Sequence, residues 1–205
     1  MWVQRKRLET GGPKCVLPFE FWTKLLRGAL IGLRRLHEAG IIHCDIKPDN
    51  LFVGGDGVVV VGDLDVSRDV VQRTQTLVMT TKATSLAFTV GFAAPELMDG
   101  STTSSFASDM YAFGQLLNVI LLPDELEQYP VLSALAEKCS CAEPAGRPTA
   151  AGALDQLLLA ADLFDQRREV ETAKSAQLAE SAAMAMQQRE LALAEKEAAT
   201  TREAL

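Results

Sequence analysis

The chain has 205 residues, 48% hydrophobic and 23% charged, which suits one domain of ordinary size with an appendage and argues against wholesale disorder. Twenty basic side chains against 27 acidic ones give a net charge of −7, with no electrostatic reason to expect nucleic acid or an anionic membrane. Cys15, Cys44, Cys139 and Cys141 have neither disulfide-framework nor zinc-site spacing, so reduced, mostly buried thiols are expected. The charged start Met-Trp-Val-Gln-Arg-Lys-Arg lacks the apolar stretch of a signal peptide, and the densest apolar run, Leu116 to Leu122, is too short to cross a bilayer. The chain reads as soluble and cytoplasmic.

Residues 1–20, carrying Gly11, Gly12, Pro13 and Pro18, read as an irregular N-terminal segment. From Phe21 to Ala39 the apolar positions Trp22, Leu25, Leu26, Ala29, Leu30, Leu33 and Leu36 recur at three- and four-residue spacing and predict an amphipathic helix stopped by Gly40. Leu51 to Val53 and Val58 to Val61, separated by Gly54-Gly55-Asp56-Gly57, predict a β-hairpin. Residues 66–90 are rich in Ser and Thr and read as a long loop, which inside a compact domain is usually functional. Helices are expected at about Ala107 to Leu122, Tyr129 to Cys139 and from Thr149 onward. The segment 162–205 is rich in Ala, Glu, Gln and Leu, so helix propensity alone favours a long helix there. In it Leu163, Val170, Gln177, Met184, Leu191, Ala198 and Leu205 recur every seven residues, while the d-like positions (Gln166 or Arg167, Lys174, Ser181, Gln188) are polar. That pattern allows a solvated Ala-rich helix or a weak coiled coil with a partner.

The segment His43-Cys44-Asp45-Ile46-Lys47-Pro48-Asp49-Asn50, between the first helix and the hairpin, carries the most chemistry. Asp45 is a loop carboxylate able to accept a proton from a hydroxyl, and Lys47 can neutralise charge on a transferring group. The amide oxygen of Asn50 and, thirteen residues later, the carboxylate of Asp63 suit a hard cation such as Mg²⁺. The segment resembles the catalytic loop of eukaryotic protein kinases, a family that serves as a standard template for phosphoryl transfer. The resemblance extends in order through Asp63-Leu64-Asp65, Ala94-Pro95-Glu96, Ser108-Asp109-Met110-Tyr111-Ala112-Phe113-Gly114 and Gly146-Arg147-Pro148-Thr149, covering roughly residues 20–160.

The resemblance implies a mainly α fold: a kinase-like C-terminal lobe over 21–161 with a small β-hairpin, then a helical tail over 162–205. It implies transfer of phosphate from ATP to a protein Ser or Thr. Asp45 would orient or deprotonate the hydroxyl, Lys47 would stabilise the γ-phosphoryl group, and Asn50 and Asp63 would hold Mg²⁺. Thr89, seven residues before Glu96, would contact Asp45 and Lys47 and, with Lys47, marks the Ser/Thr class. Asp109 and the Glu96–Arg147 pair would be structural. The sequence departs from the family at Cys44, where an Arg would receive an activation-loop phosphate on Thr74, Thr76, Thr80, Thr81, Thr84 or Ser85, so it resembles the non-RD kinases. It departs also at Asp65 and Phe88, which replace glycines. With 42 residues before His43, the N-terminal β lobe, its Gly-rich loop and its strand Lys are expected to be absent, leaving the helix–hairpin face exposed as an apolar patch. A catalytically inactive kinase-like interaction module is the alternative.

Overall fold

The computed structural model describes residues 2–55, 57–70, 89, 91–98 and 103–203, with side chains described through residue 189. Phe88 and the Thr and Ser positions from Thr74 to Ser85 lie outside the described residues. The chain divides into two units, Met1–Ala161 and Asp162–Leu205. The helices are α1 (Trp2–Thr10), α2 (Phe19–Glu38), α3 (Pro95–Met98), α4 (Phe106–Ile120), α5 (Pro123–Gln128), α6 (Pro130–Cys139) and α7 (Ala150–Glu203). The strands are β1 (Ile41–Ile42), β2 (Leu51–Val53), β3 (Val59–Val61) and β4 (Arg68–Asp69), so the described fold is mainly helical.

The expectation of an irregular start is overturned, because residues Trp2–Thr10 form α1. Gln4, Arg5, Lys6, Arg7, Leu8 and Glu9 are good helix formers, and Arg5 and Glu9 pair one turn apart at 3.2 Å. Gly11 and Gly12 end this helix, both donating their N–H to Arg7 O, with Gly12 at φ +114°. The glycines that suggested irregularity are a stop signal. The only side chains that α1 buries are Val3 and Arg7.

α2 buries the expected stripe: Trp22, Leu25, Leu26, Ala29, Leu30 and Leu33 are each no more than 4% exposed. Two glycines interrupt the helix on the face toward the hairpin. A Cβ at Gly28 would lie 2.7 Å from Val59 Cβ, and one at Gly32 3.0 Å from Val61 Cγ2. Each glycine costs about 1 kcal/mol of helix propensity against alanine. In return β3 lies directly on the helix backbone.

β2 and β3 pair antiparallel, with Leu51 opposite Val61, Phe52 opposite Val60 and Val53 opposite Val59. Alternation then sends Val59 inward and leaves Phe52 and Val60 each 55% exposed on the other face, beside Val58 at 54%. The reading of 66–90 as loop throughout is corrected by β4, which pairs with β1 in the register Ile41↔Asp69 and Ile42↔Arg68. A two-residue strand is too short to leave a periodic signal in the sequence.

α4 starts at a capping box in which Ser105 and Ser108 exchange side-chain and backbone bonds. Asp109, Met110, Ala112, Phe113, Leu116, Leu117 and Ile120 are all buried, so this helix is apolar around most of its circumference and is the core of the unit. α5 fills the stretch between Leu122 and Tyr129. α6 adds Leu132, Leu135, Ala136 and Cys139 to the core, and the first turns of α7 add Ala150, Ala153, Leu154 and Leu157. The expectation of mostly buried thiols holds for Cys139 alone; Cys15, Cys44 and Cys141 are half-buried, and none of the four is in a disulfide. Burial pushes the Cys139 thiol up to about 12, so it packs as an apolar group.

In the second unit the helix continues to Glu203. Residues 165–189 are exposed, including Val170 at 54%, Leu178 at 70% and Met184 at 57%. Leu191, Ala198 and Leu205 of the seven-residue repeat lie outside the residues with described side chains. Among the described residues no helix is long and apolar enough to cross a membrane.

Candidate active site

The predicted chemistry-bearing residues converge on the loop between β1 and β2 and on the end of β3. The loop is held from below by Asp109 of α4. Its Oδ2 accepts the backbone N–H of His43 at 2.8 Å and its Oδ1 that of Cys44 at 2.9 Å, and Nε2 of His37 lies 2.9 Å from Oδ2. Asp109 is 1% exposed, so these partners replace its lost hydration. Cys44 has a left-handed φ of +71°, an uncommon state for a residue with a side chain, and the bond from its own N–H to Asp109 helps hold it there.

His43 is fully buried and links the two halves of the site. Its Nδ1 accepts the Asp45 N–H at 3.3 Å and its Nε2 lies 3.0 Å from Gly62 O. One ring nitrogen accepting and the other facing a carbonyl is the pattern of a neutral imidazole protonated on Nε2. Gly62 N–H returns a bond to Asn50 O at 3.0 Å. Asp63, the next residue, is therefore positioned by two hydrogen bonds to the loop and not by the hairpin alone. It is exposed and left-handed, with φ +64°.

Asp45 is clasped on both carboxylate oxygens. Thr89 Oγ1 donates to Oδ1 at 2.9 Å, and Lys47 Nζ lies 2.5 Å and Asn50 Nδ2 3.1 Å from Oδ2. Lys47 Nζ also donates to Thr89 Oγ1 at 3.0 Å, closing a triangle. Burial by itself would raise the Asp45 pKa, but the hydrogen bonds from Lys47 and Thr89, the Lys47 charge and the Asn50 bond outweigh it and hold the carboxyl below its ordinary 3.8. A depressed folded-state pKa contributes stability above the unfolded value, lost as pH falls through the folded one. Urea midpoints of the parent chain and of Asp45→Asn are therefore expected to differ at pH 7 and to converge as pH drops below 3.8.

Asn50 is buried, and its amide nitrogen is used twice, toward Asp45 O at 2.8 Å and Asp45 Oδ2. With the nitrogen turned to Asp45, the amide oxygen is directed away from it. A hard cation prefers such an oxygen, and the exposed carboxylate of Asp63 is the second oxygen donor at this end of the hairpin. The donor chemistry thus fits Mg²⁺. Asp65, the residue that replaces a glycine, has no left-handed φ, so the loss of glycine there carries no backbone strain. Leu64 between the two acids is 44% exposed.

Away from the loop, Arg147 closes a bidentate pair with Glu96 at 2.7 and 2.8 Å and also donates to the carbonyls of Ala107, Cys141 and Ala142. This pair fixes α3, and with it the chain leaving Thr89, against the segment before α7. The structure thus brings Asp45, Lys47, Asn50 and Thr89 into one hydrogen-bonded cluster, with Asp63 joined to it through Gly62. Sequence reasoning missed His37 and the linking role of His43, whose partners are 72 and 19 residues distant and follow no local pattern.

The family model described as "Protein kinase domain" matches residues 13–128. The serine/threonine-protein kinase GRIK2 of Arabidopsis thaliana is 32% identical over an alignment covering 67% of this chain and 38% of that protein. SNF1-activating kinase 1 of Saccharomyces cerevisiae is 50% identical over 56 residues, which are 27% of this chain and 5% of that protein. Extracellular signal-regulated kinase 2 of Dictyostelium discoideum is 30% identical over 59% of this chain and 32% of its own length. The chain spans 38% or less of the length of each of these three relatives.

Proposed function

This chain belongs to the protein kinase family, and from that membership we propose that it carries the catalytic-loop side of a Ser/Thr protein kinase, transferring the γ-phosphoryl group of ATP to a protein hydroxyl. In this reading residues 21–161 form the C-terminal lobe and 162–205 a helical tail. The observation that carries it is the Asp45–Lys47–Thr89 triangle, in which a carboxylate, an ammonium and a hydroxyl meet where a substrate hydroxyl and a phosphoryl group would have to meet.

Asp45 receives the hydrogen bond of the incoming hydroxyl. Its lowered pKa makes it a weak proton acceptor, so its main task is to orient the oxygen for in-line attack and to take the proton once the oxygen–phosphorus bond has formed. Lys47 lies against Asp45 and balances charge on the transferring group. Asn50 and Asp63 offer the oxygens for Mg²⁺, which supplies neutralisation of the phosphate charges when bound. Cys44, lacking a guanidinium, gives a loop phosphate no bidentate partner, so control by loop phosphorylation is not expected.

A second reading, an inactive interaction module, draws on the exposed Phe52–Val60 face beside Asp63. One experiment separates them. With no Gly-rich loop or strand Lys expected in these 205 residues, the Mg²⁺-dependent thermal shift of the intact chain with ATP is expected to be weak or nil. A strong shift that disappears in Asp63→Ala overturns the interaction module, and a shift of equal size in Asp63→Ala overturns the catalytic reading.

A further inference from the structure

In the second unit, Leu163, Val170 and Met184 of the seven-residue repeat are each more than half exposed. The repeat continues in the sequence to Leu205 without a Gly or Pro, and Gln177 is its one polar member. A column with a period of seven drifts slowly around a helix of 3.6 residues per turn, and a second helix wound left-handed about the first keeps it covered. The flanking residues fix the heptad register. With the repeat at a, the d positions include Ala173 and Ala194, and Arg167 and Lys174 fall beside the seam at e. With the repeat at d, Arg167 and Lys174 would stand in the core itself, so the first register is the one this sequence suits.

Charge selects the partner. In that register Asp162, Glu169, Glu190 and Glu197 occupy g positions, while the charged e positions are Arg167, Lys174, Glu195 and Arg202. Two parallel copies in register bring each g residue to the e residue five positions on in the other copy. Asp162 then meets Arg167, Glu169 meets Lys174 and Glu197 meets Arg202, against one like-charged meeting of Glu190 with Glu195. Antiparallel copies would set g against g and e against e, acid against acid and, at Arg167 and Lys174, base against base. Asp162, Arg167, Glu169 and Lys174 all have exposed positions from which to reach a second helix. Between parallel copies Gln177 meets its counterpart only when the register is kept, as a single polar a residue does in fixing alignment. Glu180 at d weakens the pair.

We infer that α7 pairs with α7 of a second copy of this chain, as a parallel, in-register, two-stranded coil over residues 162–205. The inference is independent of whether the catalytic loop is active.

The test is sedimentation equilibrium of the intact chain over a range of concentrations at low salt, where a species of twice the chain mass is expected. Arg167→Glu combined with Lys174→Glu is expected to weaken dimerisation roughly tenfold or more, and so is Asp162→Lys combined with Glu169→Lys. An equimolar mixture of these two variants is expected to regain it as a heterodimer. All four positions are exposed, so the far-UV circular dichroism of both variants should stay that of the parent. Val170→Cys reads the orientation: under diamide it is expected to give a disulfide-linked dimer in excess of any formed by the parent chain. A monomer at every concentration overturns the inference, as does a mixture that fails to pair. Dimerisation unchanged in both charge-reversed variants overturns it too, by placing the contact elsewhere, as on the exposed Phe52–Val60 face. No excess cross-linking in Val170→Cys overturns the parallel alignment.

Discussion

Replacing Arg7 with alanine is expected to lower folding stability by about 3–5 kcal/mol, the cost of stranding a buried charge by removing its partner. Arg7 is 3% exposed and Glu125, its partner in α5, is fully buried. Their bidentate contacts measure 2.6 and 2.8 Å. Arg7 also donates to Cys15 O and Ile120 O, and its guanidinium lies 5.5 Å from the centroid of the Trp22 ring. Glu125 in turn accepts the backbone N–H groups of Leu17 and Leu122, each at 2.8 Å. One carboxylate thus ties together α1, the segment entering α2, and the turn between α4 and α5. In Arg7→Ala those two N–H bonds remain but the charge is uncompensated. Urea denaturation checks the magnitude. Arg7→Met combined with Glu125→Gln is expected to recover most of the loss, because it removes both charges together. Additive losses in the double variant would show that the pair is not what holds this region. Hydrogen exchange gives a local reading: α1 buries only Val3 besides Arg7, so the amides of residues 2–10 should lose protection before those of α2.

Asp109→Ala is expected to be the second severe substitution, and to damage the site more than its distance from Asp45 in the chain suggests. It orphans the buried N–H group of His43 at about 1–3 kcal/mol, takes the carboxylate from the half-buried N–H of Cys44, and removes a partner of His37. It also frees Cys44 from the bond that helps hold its left-handed conformation, so the loop loses the geometry that aims Asp45. Asp109→Asn, which keeps one acceptor oxygen, should fall between the parent and Asp109→Ala. The check is twofold: the denaturant midpoint, and the ATP–Mg²⁺ thermal shift at a temperature where each variant is folded. Loss of stability with an unchanged nucleotide shift would mean that Asp109 supports the fold without setting the loop.

How far the site was legible depended on how local its signals were. Asp45, Lys47 and Asn50 sit within six residues, with Asp63 thirteen further on, so their spacing could be read directly. The contacts that join Thr89 to Asp45 and Lys47, Asp109 to His43 and Cys44, and Glu96 to Arg147 span 42 to 66 residues, and only the family resemblance connected them in advance. Arg7 and Glu125 are 118 residues apart with no motif around either, and nothing in the sequence separates a buried Arg from the exposed Arg5 two residues earlier. α2 was legible because its apolar stripe persists for about four turns. α1 was not, since it carries almost no apolar face and Gly11 and Gly12, which also suit an irregular segment, are here its boundary. Asp65 raised an expectation of lost backbone freedom that its ordinary φ removes.

The two bare positions on α2 separate two controls over the site. Side chains packed between a helix and a strand normally interlock, fixing both how near the strand lies and how far it has slid along the axis. At Gly28 and Gly32 there is nothing to interlock, so the helix sets depth alone. The sliding coordinate is left to the other end of the hairpin, where His43 meets Gly62 O and Gly62 N–H meets Asn50 O. Asn50 and Asp63 thus keep their alignment through the same loop that carries Asp45, and a shift of that loop would carry all three together instead of pulling them apart.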